Sequence, residues 1–315
     1  MSVSVDQFGG FNADTLAVET DNVSNNLTLV GQSRDISPST ASPVWLIKKI
    51  TSQAKDLTRI EYASQKFDQI WDDRDILFNV FRNTTSILMD GVNDHVLLGD
   101  VADLSFDGTS PFSISVWFRS TFSGTQEKIL FSKQANVNNA GYRFAIENNT
   151  LMFHLSGGAA NNRIEVESSA LIIHDNDWHS AIVTYDGSQN AGGVSIYFDG
   201  SLQGAVANAD SLTNSADNSI SAQYSGRNGT TAPFMGFMDE LSAWNKELST
   251  TEADEIFDGG VPANIVVHSA VTNNRGWWRH DGDIFSTIID QGPNTSNNGT
   301  MINMTATDLV GEVPE

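Results

Sequence analysis

The sequence predicts an all-β protein whose larger part is an antiparallel β-sandwich, and three features lead there. Short segments alternate apolar and polar residues over Ser113 to Phe118, Lys128 to Phe131, Tyr142 to Ile146, Thr150 to Leu155 and Val194 to Phe198, so that each has one face to bury. Residues that tolerate positive φ or close hairpins stand between them: Asn148-Asn149, Gly157-Gly158, Asp186-Gly187, Gly192-Gly193 and Asp199-Gly200. The 39% apolar fraction, with seven Trp and seventeen Phe, can fill a sizeable core, whereas charged residues make up only 18%.

Two segments read as helices. Phe67, Ile70, Trp71, Arg74, Leu77 and Phe78 follow Ser64 at spacings of mostly three and four, with Asp68, Asp72, Asp73 and Asp75 on the opposite side. This short helix is expected to close a small β-rich N-terminal domain. The second begins with the capping box Ser249-Thr250-Thr251-Glu252, places Ala253, Ile256 and Phe257 on its apolar side and stops at Gly259-Gly260.

A chain of 315 residues exceeds what one hydrophobic core usually organises, so two domains are expected, 1–85 and 86–315, with a C-terminal tail from about residue 273. The charge divides the same way. Residues 1–85 hold 8 basic and 11 acidic side chains, and the remainder holds 9 and 28, so most of the net charge of −22 belongs to the larger part. Such acidity disfavours nucleic acid and anionic membrane surfaces as partners. There is no Cys, so neither disulfides nor zinc-thiolate sites are available. The first twenty residues have no basic start and no apolar run of the kind an export signal uses, and no stretch approaches membrane-spanning length. The expectation is a protein made in the cytoplasm.

Several phrases in order, Met89 to Val96, Phe112 to Phe118, Asp177 to Gly187, Ser195 to Gly200 and Gly236 to Ser249, resemble the laminin G-like and pentraxin-like branch of the concanavalin A-like jelly rolls. The resemblance implies an antiparallel jelly-roll sandwich over roughly 170 residues. Val44 to Ile50 and Phe67 to Arg74 resemble a short module of bacteriophage virion proteins, and the tail from Gly276 resembles endings found on jelly rolls of phage and marine microbes. Together they imply a non-enzymatic virion protein: residues 1–85 attach to other virion proteins and to copies of the same chain, a trimer first, while the acidic sandwich serves as a decoration, fibre or adhesion module. A host cell-surface glycan is the implied outer partner. A microbial lectin or adhesin is the alternative, and a glycoside hydrolase the third reading.

The chemistry-bearing residues are few. Laminin G-like relatives often hold calcium at the sandwich rim, and Asp94 and Asp239 occupy the matching phrases; a structural calcium between them is weighed against an Asx-type turn at Asp90, Asn93 and Asp94. Asp239 and Glu240 are consecutive on an expected strand and should point to opposite faces. Glu165 and Glu167 share a strand face as glucanase carboxylates do, but Ala170 stands where the third acid is needed. Trp117, Trp178 and Trp244 fall at strand positions that pack between sheets. Trp277 and Trp278 are consecutive, so one should face outward, where it could stack on a sugar or meet a neighbouring subunit. The six His show no metal-ligand spacing, and neither a serine-nucleophile elbow nor a phosphate-binding glycine loop is present.

Overall fold

The computed structural model describes four strands within residues 1–62, and residues 83–314 apart from 121, 123, 135–138, 160, 214–221, 225–230, 282, 284 and 295. The chain divides into two compact units, Met1–Arg82 and Asn83–Glu315. In the first, β1 (Ala17–Ser24), β2 (Leu27–Ser33), β3 (Trp45–Gln53) and β4 (Asp56–Tyr62) form an antiparallel meander in that order. The helix expected over Phe67 to Phe78 lies outside the described residues.

The second unit is an antiparallel jelly-roll sandwich of two sheets. The eight-stranded sheet runs β14 (Ser201–Leu202), β13 (Val194–Phe198), β12 (His179–Tyr185), β7 (Phe112–Ser120), β17 (Met235–Trp244), β5 (Ser86–Asp90), β21 (Leu309–Val310), with β18 (Asn274–Trp278) also pairing β17. The nine-stranded sheet runs β15 (Ala205–Asp210), β11 (Asn162–Ser168), β10 (Thr150–Ala159), β9 (Ala140–Glu147), β8 (Lys128–Ser132), β16 (Ala222–Tyr224), β6 (His95–Gly99), β20 (Gly299–Ile302), β19 (Thr287–Ile288). The tail from residue 273 is therefore not loose: its strands join both sheets.

Local chemistry explains the registers. Asn148 and Asn149 take φ of 51° and 63°, the left-handed pair that closes a two-residue hairpin between β9 and β10, and Asp199-Gly200 does the same between β13 and β14 at 47° and 73°. The alternating side chains of β7 then sort cleanly. Phe112, Ile114, Val116 and Phe118 enter the core between the sheets, where Phe112 lies 4.7 Å from Phe106, 5.2 Å from Tyr142, 5.8 Å from Phe153 and 5.6 Å from Tyr185. Contacts of that geometry add to the burial of the rings themselves.

The opposite face of the same strand is also covered. Helix α1 (Thr250–Phe257) begins at Ser249 with its capping box complete, and Asp258 rather than a glycine takes the left-handed cap position at φ 43°. Its Ala253 and Ile256 join Ile182, Tyr197, Trp244, Leu248, Ile265, Ala270 and Trp277 in a second apolar cluster. Trp117 and Trp244 are buried as expected, but in this outer layer rather than between the sheets, with Trp117 stacked on Phe257 at 5.8 Å. Ser113 and Ser115, the polar positions of the alternation, are buried there too and fully used. Ser113 Oγ donates to the Lys246 carbonyl and accepts from Leu248 N–H, and Ser115 shares a hydrogen bond with Ser242.

Candidate functional site

At one end of the sandwich the β5–β6 turn, the segment after β7 and the segment before β17 meet in a rim. Asp90 opposes Met235 across β5 and β17, and Ser120 opposes Gly236 across β7 and β17, which fixes the three side by side. Gly91, at φ 75°, cannot carry a side chain because a Cβ would come 2.7 Å from that of Met235. Asp90 Oδ1 accepts from Val92 and Asn93 N–H, and Asp94 Oδ2 accepts from Asp90 N–H at 3.0 Å, so this is an Asx-type turn held by its own carboxylates.

The rim carries an aromatic platform. Trp178 and Phe237 are half-buried with ring centroids 6.2 Å apart, and the Arg119 guanidinium sits 4.0 Å from the Phe237 centroid and 5.7 Å from that of Trp178. Arg119 also pairs with Glu312 of the C-terminal segment, a carboxylate that remains largely exposed. Trp178 thus departs from the expected core position because it precedes β12 instead of lying within it. At the β5–β6 turn, an open cleft of about 660 Å³ is lined by Gly91, Val92, Glu127, Lys128, Thr231 and Ala232 among others.

The expected calcium pair is not brought together. Asp94 stays with Asp90, opposite Met235, and Asp239 lies four residues further along β17, roughly 13 Å at the usual strand rise. The strand that follows Asp94, β6, belongs to the other sheet. Asp239 is fully buried, with one oxygen accepting from Asn83 Nδ2 at 2.6 Å and the other from Glu240 N–H at 2.8 Å. Calcium needs six or more oxygen ligands converging on one point, and these residues do not fit it. Among the described residues, no group of three or more His, Asp or Glu is arranged to hold a metal ion.

Asp239 and Glu240 do not take opposite faces. The β7–β17 register shifts between Asp239 and Ser242, and Glu240 adopts a left-handed φ of 49°, so the alternation breaks at a bulge. The bulge falls where the edge partner of β17 changes from β5, which ends its pairing at Met238, to β18, which begins at Leu241. Both carboxylates converge on Asn83, whose Nδ2 also donates to Glu240 Oε1 at 3.0 Å. Trp277 Nε1 donates to Glu240 Oε2 at 2.6 Å, and Arg279 Nε stands 3.7 Å from Oε1. Burial first, and the Glu240 charge second, hold the Asp239 carboxyl well above the usual range. Burial pushes Glu240 up to about 7 against the opposing pull of Arg279 and its hydrogen bonds.

Trp277 and Trp278 are both buried, at 2% and 0% exposure, which corrects the expectation that one faces outward. Trp278 enters the core between the sheets with its Nε1 on the Asn297 carbonyl, and Trp277 lies in the layer under α1. Two covered faces accommodate two consecutive rings. Glu165 and Glu167 do share the outer face of β11, opposite His154 and Met152, with Arg163 3.5 Å from Glu165, and Ala170 lies past the strand end.

Residues 90–254, just over half of the chain, match the family described as the concanavalin A-like lectin/glucanases superfamily. The chain belongs to that superfamily. No curated protein matches it. Similar solved structures include a heptameric SAP-like pentraxin from Limulus polyphemus at 12% identity, covering 56% of this chain and 82% of that one with a TM-score of 0.39. The binding domain of Paraclostridial Mosquitocidal Protein 1 is 16% identical over 56% of this chain and 47% of that one, with a TM-score of 0.40. The CBM40 of a Ruminococcus gnavus IT-sialidase, bound to α2,3-sialyllactose, is 14% identical over 55% of this chain and 96% of that one, with a TM-score of 0.43. Likenesses at these values carry nothing about the ligand of this chain.

The acid pair gives a pH dependence with a defined sign. Glu240 is protonated in the fold at pH values where the unfolded chain has lost that proton, so its contribution is fully present below about pH 4.5 and is lost as pH rises through about 7. Asp239 acts in the same direction. Between pH 5 and 8 the wild-type chain should lose more stability than Glu240→Gln in urea unfolding. Parallel pH profiles for the two proteins would contradict this assignment.

Proposed function

We propose that this chain is a non-enzymatic display protein whose acidic sandwich binds a surface glycan through its rim, and whose residues 1–85 attach it as an oligomer to a larger particle, a bacteriophage virion. The observation that carries the glycan reading is the half-exposed Trp178 and Phe237 platform with Arg119 over it. A sugar presents an apolar C–H face to an aromatic ring and hydroxyls to flanking charged groups, and Arg119 with the exposed Glu312 supplies a donor and an acceptor beside the rings. Membership in a superfamily whose description names lectins supports the same reading. Against a hydrolase, the Glu165 and Glu167 face lacks its third acid, and the Asp239 and Glu240 oxygens are committed to internal donors in a buried site.

The attachment reading is supported by the division into two units, the concentration of acidity in the second, and the resemblance of the first to virion modules. Trp178→Ala should weaken binding to a glycan selected on an array by at least about tenfold, roughly 1.4 kcal/mol, with little change in melting temperature. Undiminished binding would remove the platform from the account. In sedimentation velocity the full-length chain should run as an oligomer, a trimer first, and residues 83–315 alone as a monomer; a monomeric full-length chain counts against the attachment role.

A further inference from the structure

The sandwich unit is so acidic that most of its described cations have found a carboxylate. Among the described residues, Arg119 pairs with Glu312, Lys133 with Asp100, Arg143 with Glu127, Arg163 with Glu165, Lys246 with Glu252 and Arg279 with Glu240. Arg275 donates to the carbonyls of Thr272 and Asn274. Lys128 is the exception. It is 8% exposed, and its ammonium meets only the Phe122 ring, 4.4 Å from the centroid, with no carboxylate or carbonyl oxygen accepting from it among the described residues.

Its position explains the burial. Lys128 opposes Ile146, a core residue, so its side chain leaves β8 on the inner face at the open end of the sandwich, where it lines the rim cleft. The adjacent Glu127 does not neutralise it, because Arg143 Nε holds the Glu127 carboxylate at 2.6 Å. The stem is buried while the ammonium opens onto the cleft, and a partly desolvated ammonium without a counter-charge carries a cost that a ring contact only partly returns. Burial accordingly lowers the lysine's pKa. Across the cleft, Val92 is 67% exposed and offers an apolar surface.

We propose that the Lys128 cleft is the subsite for the carboxylate of an acidic sugar, with the ammonium as counter-ion and the sugar ring lying toward Val92. This deepens the glycan reading and rests on it for the sugar part of the ligand. Thr231, Gln126 and Glu127, the last held by Arg143, add polar groups to the lining.

The test is isothermal titration of the full-length chain with methyl glucuronide and methyl glucoside, which differ only in a carboxylate replacing a hydroxymethyl group, and with inorganic sulfate at matched ionic strength. The glucuronide should bind at least tenfold tighter than the glucoside. Lys128→Met should erase that difference while the melting temperature holds or rises, since an unpaired charge is removed, and Lys128→Arg should keep part of it. Equal affinity for the two sugars would overturn the proposal and leave the glycan reading standing, as would a preference that persists in Lys128→Met. Sulfate binding that depends on Lys128 with neither sugar bound would mark a site for free anions and overturn the sugar assignment. Silence from all three ligands would overturn this proposal, and absence of any array hit would separately overturn the glycan reading.

Discussion

Strand β7 is packed on both faces, and with its neighbour β17 it forms the ridge on which the sandwich unit is built. Inward, Phe112 and its alternate residues meet the nine-stranded sheet; outward, Ser113, Ser115 and Trp117 meet α1 and the segments around it. Full burial of a single large apolar side chain is worth roughly 1.5–3 kcal/mol, and without cysteines such packing must hold the fold. Only toward its C-terminal end does β7 escape the cover. There Arg119 reaches the rim, which is why the platform forms at that end.

The bulge at Glu240 follows from the same arrangement. A long strand that exchanges one edge partner for another leaves backbone and space unpaired at the handover, and here two carboxylates, Asn83 and the Trp277 indole fill it. The result is a buried polar network with each carboxylate tied to named donors. It lies where the sandwich chain begins, so it anchors the entry of the second unit to the centre of its sheet. A buried polar network of this kind is retained at a cost, offset by the hydrogen bonds that fix a single register.

Much of the sandwich was legible because strand alternation and hairpin chemistry act locally. The Asn148-Asn149 and Asp199-Gly200 turns and the Ser249 capping box each form as their residues dictate. What could not be read depends on partners distant in sequence. Alternation reveals one buried face but not that a helix 130 residues away covers the other, so from sequence Trp117 and Trp244 read as between-sheet residues and one of Trp277 and Trp278 as outward-facing. The Asp239-Glu240 convergence required a left-handed non-glycine residue, which no composition signal marks. Lys128 looks like any strand-end lysine until the pairing of the other described cations of the sandwich is known, and Trp178 like a core residue until β12 is seen to begin after it.

The account places ligand contact at the rim and assigns the interior acids to structure. Hydrogen exchange of the full-length chain with and without a bound glycan tests that division most directly. Added protection should appear at the amides of Val92, Asn93, Lys128 and Trp178 and around Met235 to Phe237, leaving β11 unchanged. Protection centred on Glu165 and Glu167 would contradict the account and return the outer face of the nine-stranded sheet to consideration as the working surface.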